Sequence, residues 1–294
     1  MAGPELQHHR ERYLEGVGAT ELHTVDIWTY GPASPSTDLG KTWIIFIHGG
    51  AWRDPEVDSM SFEPAVTALS NLPIRSSIAG FVSINYRLSP YPSHSKYPSP
   101  PDDPSRNVQH PCHLEDVGHA LLYLDGKYGI EDRYMLVGHS AGATMAFGLY
   151  LSLLPDRPLP RPACVLGIAG IYDFDAFVEA HKSIPVYQQF MESAFPERSA
   201  WHQVSPSTGL TGYDPLWERA KIIVISNSDE DQLVEKEQDS YMLKRVKSRL
   251  DGHQQIHSLA ASGGHNEIWQ SGHILAGLIV QSMQWLQSLS GPRS

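Results

Sequence analysis

Three residue types that together can carry out acyl transfer occur in this chain in the order Ser140, Asp231, His265. A serine hydroxyl is a weak nucleophile until a base takes its proton, and the base works best when an acid holds its tautomer. Ser140 stands at the centre of Gly138-His139-Ser140-Ala141-Gly142, behind the apolar run 134–137 and ahead of small residues. That order suits a strand, a sharp turn and a helix. Glycines two before and two after the serine leave room for the backbone to fold back on itself. Over these five residues alone, a glycine-rich turn with an idle serine would read the same. The acid and the base decide between the two readings.

Asp231 lies in Asp229-Glu230-Asp231-Gln232-Leu233-Val234, after the β-favouring run 221–226. Asp229 and Glu230 compete with it, and Asp231 also fits as a plain helix cap. His265 closes Gly263-Gly264-His265 after the strand-like run 255–260. The chain has 15 histidines, so its position after a strand, late in the chain, is what singles this one out. Backbone donors for an oxyanion are expected from His48-Gly49-Gly50-Ala51-Trp52, where two glycines let N–H groups turn toward a substrate. The donors would be the amides of Gly50 and Ala141, with Gly49 as a third. Trp52 has two readings: it packs under this loop, or it walls the acyl side of the site and touches substrate. Metal chemistry is not expected. There is no His-Glu-x-x-His, and His110-x-Cys112-His113 lacks a second ligand pair at zinc spacing. No Gly-x-x-x-x-Gly-Lys phosphate loop occurs either, and no cofactor is implied.

Elements able to position these residues alternate along the chain. Residues 1–22 are polar and read as a peripheral arm or short helix. The alternating run 24–30 reads as an edge strand, closed by a turn-rich loop over 31–40. The continuous run 42–47 reads as a strand covered on both faces. A helix is expected within 61–72, a strand over 81–86 and a helix over 113–128. An apolar helix over 144–154 should follow the serine turn. Beyond the linker 155–162 come a strand over 163–168, the strand 221–226, a charged helix to 250, the strand 255–260 and a last helix over 268–289. Residues 90–111 form a long irregular loop, either a surface insertion or part of the site's rim. Residues 173–219 read as a small cap-like insertion covering a sheet edge. This alternation predicts an α/β fold: a doubly wound, mainly parallel sheet with helices on both faces, in a single domain over 1–294.

With 22 Lys and Arg against 33 Asp and Glu, the net charge is −11, which argues against nucleic acid or an anionic membrane as partner. Hydrophobic residues at 41% and charged residues at 19% suit a globular enzyme with a large core. Two cysteines, Cys112 and Cys164, are too few for a disulfide framework. The polar start carries no apolar signal core, and no apolar stretch reaches the ~18 residues of a membrane span. A soluble, cytoplasmic protein is the expectation.

The set His48-Gly49-Gly50-x-Trp52, Asn85-Tyr86-Arg87-Leu88, Gly138-His139-Ser140-Ala141-Gly142, Asp231-x-Leu-Val and His265-Asn266 resembles the kynurenine formamidase (arylformamidase) family, fungal members above all, within the α/β-hydrolase esterase and lipase superfamily. The resemblance spans about residues 42–285. It implies an α/β-hydrolase fold and hydrolysis of N-formyl-L-kynurenine to formate and L-kynurenine, in tryptophan breakdown toward NAD. Ser140 would be the nucleophile, His265 the base and Asp231 the orienting acid. A monomer or homodimer acting on this small molecule, without nucleic acid or membrane, is expected. A formyl group needs almost no acyl pocket, which would give a walling Trp52 its use. Two rivals remain: a short-acyl carboxylesterase, and a catalytically silent α/β-hydrolase serving as a binding module.

Overall fold

In Thr42-Trp43-Ile44-Ile45-Phe46-Ile47 the side chains alternate between two apolar layers. Ile45 and Ile47 join one core cluster, while Ile44 and Phe46 join the other. A strand buried on both faces needs helices above and below it, and the computed structural model, which describes residues 5–31, 40–155, 157–209, 212–250 and 252–289, has them. In chain order the elements are β1 Gln7–Arg12, β2 Thr24–Thr29, β3 Thr42–Ile47, α1 Glu63–Ser70, β4 Ile78–Ile84, α2 Cys112–Tyr128, β5 Tyr134–His139, α3 Ala141–Gly148 and β6 Cys164–Ile168. There follow α4 Phe174–Ala180, α5 Pro185–Ala194, α6 Trp201–Val204, β7 Ile222–Ser228, α7 Glu237–Lys247, β8 Gln255–Ala261, α8 Glu267–Gln270 and α9 His273–Leu289.

Among the described residues the strands form one eight-stranded sheet in the order β1-β2-β4-β3-β5-β6-β7-β8. β1 and β2 pair antiparallel with each other, and β2 with β4; every pairing from β4 to β8 is parallel. Apolar residues of α1 and α9 cover one face, and those of α2, α3 and α7 cover the other. This is the doubly wound sheet that the alternation of elements implies.

Several expectations are corrected in detail. Residues 7–12, read as an arm or short helix, are strand β1, which hydrogen-bonds along β2. That makes β2 an inner strand, buried over all six residues, rather than an edge. Its polar Asp26 is tolerated there because Arg10, His8 and Ser59 all hydrogen-bond its carboxylate. The helix after the serine turn stops at Gly148, not at 154. Leu149 turns extended, and its carbonyl accepts the Leu216 amide at 2.8 Å. The last helix is broken at Gly272, where φ is 71° and a Cβ would sit 2.3 Å from the Pro64 carbonyl carbon of α1. The sheet edges are β1 and β8, and residues 173–219 supply neither. Their helices α4 and α5 pack instead on Trp52, beyond the carboxyl end of β3. The loop 31–40 lies largely outside the described residues.

Candidate active site

Gly138 and Gly142 are fixed by contact. A Cβ on Gly142 would stand 2.0 Å from the Ile47 carbonyl oxygen, and one on Gly138 would stand 2.3 Å from the Gly142 oxygen. Both are far inside van der Waals distance, so α3 can lie against the end of β3 only with glycine at these positions. Between them the chain turns through Ser140 at φ 54° and ψ −122°, a sparsely populated conformation that costs on the order of 1–3 kcal/mol and needs surrounding structure to hold it. The surroundings are specific. The Ser140 amide donates to Ile168 O at 2.9 Å, and its carbonyl accepts the amides of Ala143 and Thr144 at 2.9 and 3.1 Å. Ala141 opens α3, so its amide has no acceptor within the helix.

The loop after β3 is strained as well. Gly50, Ala51 and Trp52 follow one another at φ 89°, 48° and 59°. A run of left-handed residues turns backbone N–H groups into a concavity suited to an anion. Ala51 adopts this geometry at a cost that a glycine would avoid. The loop is braced from below by Tyr86, whose single hydroxyl proton is shared between the carbonyls of His48 and Gly49 at 3.0 and 2.8 Å. The His48 ring stacks on Tyr86 with centroids 4.4 Å apart. Burial pushes His48 down to about 4, so it is a neutral brace at pH 7. Gly49 abuts the serine, with its missing Cβ position 3.1 Å from Ser140 Cβ.

At the ends of β7 and β8 the acid and base meet. His265 Nδ1–H donates to Asp231 Oδ2 at 2.7 Å, and both side chains are buried. Because a carboxylate only accepts, the proton is assigned to Nδ1, which leaves Nε2 as the accepting nitrogen. The other Asp231 oxygen accepts the amides of Leu233 and Val234 at 2.8 and 3.0 Å. Capping a turn and holding a histidine, two readings of Asp231 from sequence, are thus one arrangement. Asp229 points away and pairs with Lys236 at 2.8 Å. Glu230 accepts the Gly263 amide at 3.1 Å and ties the histidine loop to the acid loop. His139 Nε2–H donates to the His265 carbonyl at 3.1 Å, their ring centroids 4.7 Å apart. Burial, with the His265 charge second, holds His139 well below the usual imidazole range. Nothing in the periodicity of the sequence singles out Glu230 or His139; both stand beside residues that were picked for other reasons.

Ser140, His265, Gly50 and Ala51 line one cavity of about 280 Å³. The rest of its wall brings five aromatic rings, Tyr91, Phe177, Tyr187, Phe190 and Trp269, together with aliphatic and polar side chains. Tyr91 belongs to the irregular segment 90–111, so that segment contributes to the rim. The structure therefore gathers Ser140, Asp231, His265, Gly49, Gly50 and Ala141 at one place. Trp52 is the exception. It is fully buried and does not line the cavity, and its ring packs against Phe174, Phe190 and Phe195. The left-handed turn at Trp52 sends its side chain beneath the loop, so the substrate-contact reading is withdrawn in favour of packing.

For a metal, Asp54, Glu56 and His94 are the described residues whose donor atoms come close together. Lys96 already neutralises Glu56 at 3.0 Å. None of the three touches Ser140, Asp231 or His265 by hydrogen bond.

Residues 44–218 match a family model described as an alpha/beta hydrolase fold. Over 285 residues the chain is 34% identical to a kynurenine formamidase-like hydrolase of Fusarium equiseti, covering 95% of each chain. It is 32% identical to the kynurenine formamidase of Aspergillus versicolor over 88% of this chain and 94% of that one. It is also 32% identical to the kynurenine formamidase of Meyerozyma guilliermondii over 90% and 91%. Among solved structures it is similar in fold to an inhibited esterase B of Lactobacillus rhamnosis. The TM-score is 0.70 at 15% identity, covering 98% of this chain and 88% of that one.

Proposed function

This chain belongs to the kynurenine formamidase family of α/β-hydrolases, and from that premise we propose that it hydrolyses N-formyl-L-kynurenine to L-kynurenine and formate through Ser140, His265 and Asp231. The observation that carries the reading is the 2.7 Å His265–Asp231 bond at the wall of the cavity into which the strained Ser140 turn opens. In this reading His265 Nε2 takes the Ser140 proton as Oγ bonds to the formyl carbon. Asp231 keeps the proton on Nδ1 and stabilises the imidazolium that forms. The amides of Gly50 and Ala141, with Gly49 behind them, receive the developing oxyanion. The intermediate then collapses: the C–N bond breaks, and His265 passes its proton to the departing aryl amine. Water, activated by the same histidine, cleaves the formyl ester and restores Ser140. An aryl amine leaves more readily than an alkyl amine, so a site of esterase type suffices. The net reaction consumes only water, and the reading includes no cofactor.

The aromatic wall supports an aryl substrate, since offset or edge-on ring contacts add to area burial. A short-acyl carboxylesterase is less favoured, because the likeness to solved esterases is one of fold alone. A silent binding module would have no use for the strain held at Ser140. The reading further includes one domain over 1–294, working in the cytoplasm as a monomer or homodimer. The net charge of −11 favours a free small molecule over nucleic acid, and no helix among the described residues is long and apolar enough to cross a membrane. The test is stoichiometric. Purified protein should release formate and kynurenine one for one from N-formyl-L-kynurenine, and Ser140→Ala should release neither. Absence of turnover by the wild type would overturn the reading.

A further inference from the structure

The cavity's charged residues are adjacent in sequence and stand directly after the oxyanion loop. Arg53 lines the cavity and is 8% exposed. Among the described residues no carboxylate hydrogen-bonds or pairs with its guanidinium. Its plane lies over the Tyr91 ring, 4.0 Å from the centroid, with Phe190 at 5.9 Å. Burial pulls Arg53 below the usual guanidinium value. The Tyr91 and Asp54 charges oppose that pull, but Asp54 does not hydrogen-bond the guanidinium, and cation–π contact offsets the cost of a largely withdrawn cation only in part. The guanidinium therefore keeps its donors for an anion that enters the cavity. Asp54 also lines the cavity. One of its oxygens accepts the Glu56 amide at 2.9 Å, and His94 Nε2 stands 3.7 Å away; no lysine or arginine pairs with it among the described residues.

Resting on the reading above, we propose that Arg53 and Asp54 bind the zwitterionic amino-acid end of the substrate, Arg53 holding the α-carboxylate and Asp54 the α-ammonium. The chemistry fits at each end. A guanidinium presents paired donors that match the two oxygens of a carboxylate, while a half-buried carboxylate accepts from an ammonium. The aryl ring carries the formamide at one position and the amino-acid side chain at the neighbouring one. A ring held by Tyr91, Phe177 and Phe190 would thus reach Ser140 with its formyl group and the Arg53–Asp54 pair with the other arm. The whole chain is strongly acidic, at −11, so its general field does not attract a carboxylate; a dedicated local cation is what would.

The experiment compares three aryl formamides: N-formyl-L-kynurenine, its des-amino analogue 4-(2-formamidophenyl)-4-oxobutanoate, and 2′-formamidoacetophenone, which lacks both charges. Arg53→Met keeps a long apolar stem over Tyr91. It should lower the ratio of kcat/KM for N-formyl-L-kynurenine to that for 2′-formamidoacetophenone by ~10–100-fold, mainly through KM, as expected for loss of hydrogen bonds to a charged group. Arg53→Lys should recover part of that ratio. Asp54→Asn should lower the ratio of N-formyl-L-kynurenine to the des-amino analogue by about tenfold. An Arg53 that only pins Tyr91 would lower both rates together, and a ratio within about threefold of wild type in Arg53→Met overturns the inference. An unchanged des-amino ratio in Asp54→Asn overturns the ammonium half. Wild-type protein that hydrolyses none of the three removes the formamidase reading itself, a result distinct from either.

Discussion

On the floor of the cavity, Ser140 is held by backbone atoms that leave its neighbours no choice of residue, with Gly142 packed against Ile47 O and Gly138 against Gly142 O. Across from it, Phe177, Tyr187 and Phe190 come from α4 and α5, and Tyr91 from an irregular loop. These positions are held by rings resting on other rings, such as Phe177 on Tyr187 and Phe190 at 5.5 and 5.8 Å. A ring in such a cluster can be exchanged for another of similar volume at modest cost. A Cβ 2.0 Å from a carbonyl oxygen cannot be relieved that way. The floor thus specifies one chemistry through sterics, whereas the roof and rim specify a substrate through side chains that are free to change.

Changes on the floor should cost the most. Ser140→Ala is expected to reduce kcat on the order of 10⁵-fold or more while the melting temperature holds, because it removes the covalent route and leaves only binding and the oxyanion donors. Purified variant with a few per cent of wild-type turnover would take Ser140 out of the mechanism. Asp231→Asn should cost on the order of 10⁴ in kcat, since the amide no longer enforces the Nδ1–H tautomer. Asp229→Asn, which loses only an exposed Lys236 pair, should be mild. The reverse ranking in steady-state kinetics would move the acid to Asp229.

Trp52 tests the border between the two regions. With its side chain buried among Phe174, Phe190 and Phe195, Trp52→Ala is expected to lose ~3–5 kcal/mol of stability without any gain in rate on longer acyl chains. Denaturant unfolding and a p-nitrophenyl ester series would measure both. New hexanoyl activity in a stable variant would return Trp52 to the acyl pocket.

The smallest effect lies beneath the acid loop. Burial, and then the Asp231 charge, raise Asp239 to about 7, and its Oδ1 has no hydrogen bond. The folded chain therefore binds this proton more tightly than the unfolded chain. Its contribution to stability is full below the ordinary value of 3.8 and is lost as pH rises through about 7. Asp239→Asn should accordingly gain on the order of 1–3 kcal/mol over wild type at pH 8, and little near pH 4. Melting curves whose difference does not change with pH would contradict the burial of that carboxyl.

The same contrast explains what could be read from the sequence. Gly138-His139-Ser140-Ala141-Gly142 shows itself because the steric demand at the turn is written in residue types, and Asp231 and His265 follow because each ends a plain β-favouring run. The parallel sheet was legible for the same reason: the runs at 43–47 and 222–225 are apolar without a break. Strand β1 was not, because Gln7-His8-His9-Arg10-Glu11-Arg12 is polar, and its role as an edge rests on pairing with β2 and on Arg10 neutralising Asp26. The early stop of α3 was hidden too, since Leu149 leaves the helix to pair with the distant Leu216. Which of its two readings Trp52 follows was not legible, because nothing in Ala51-Trp52 announces a left-handed backbone. Arg53 and Asp54, next in line, acquire meaning only once that turn carries them to the cavity wall.

The most direct test of the whole account is a rate comparison on one preparation of wild-type protein, giving kcat/KM for N-formyl-L-kynurenine beside p-nitrophenyl acetate, butyrate and hexanoate. The expected result is N-formyl-L-kynurenine above every ester, with all four activities lost together in Ser140→Ala. Butyrate or hexanoate above N-formyl-L-kynurenine would contradict the formamidase reading and leave a serine esterase in its place.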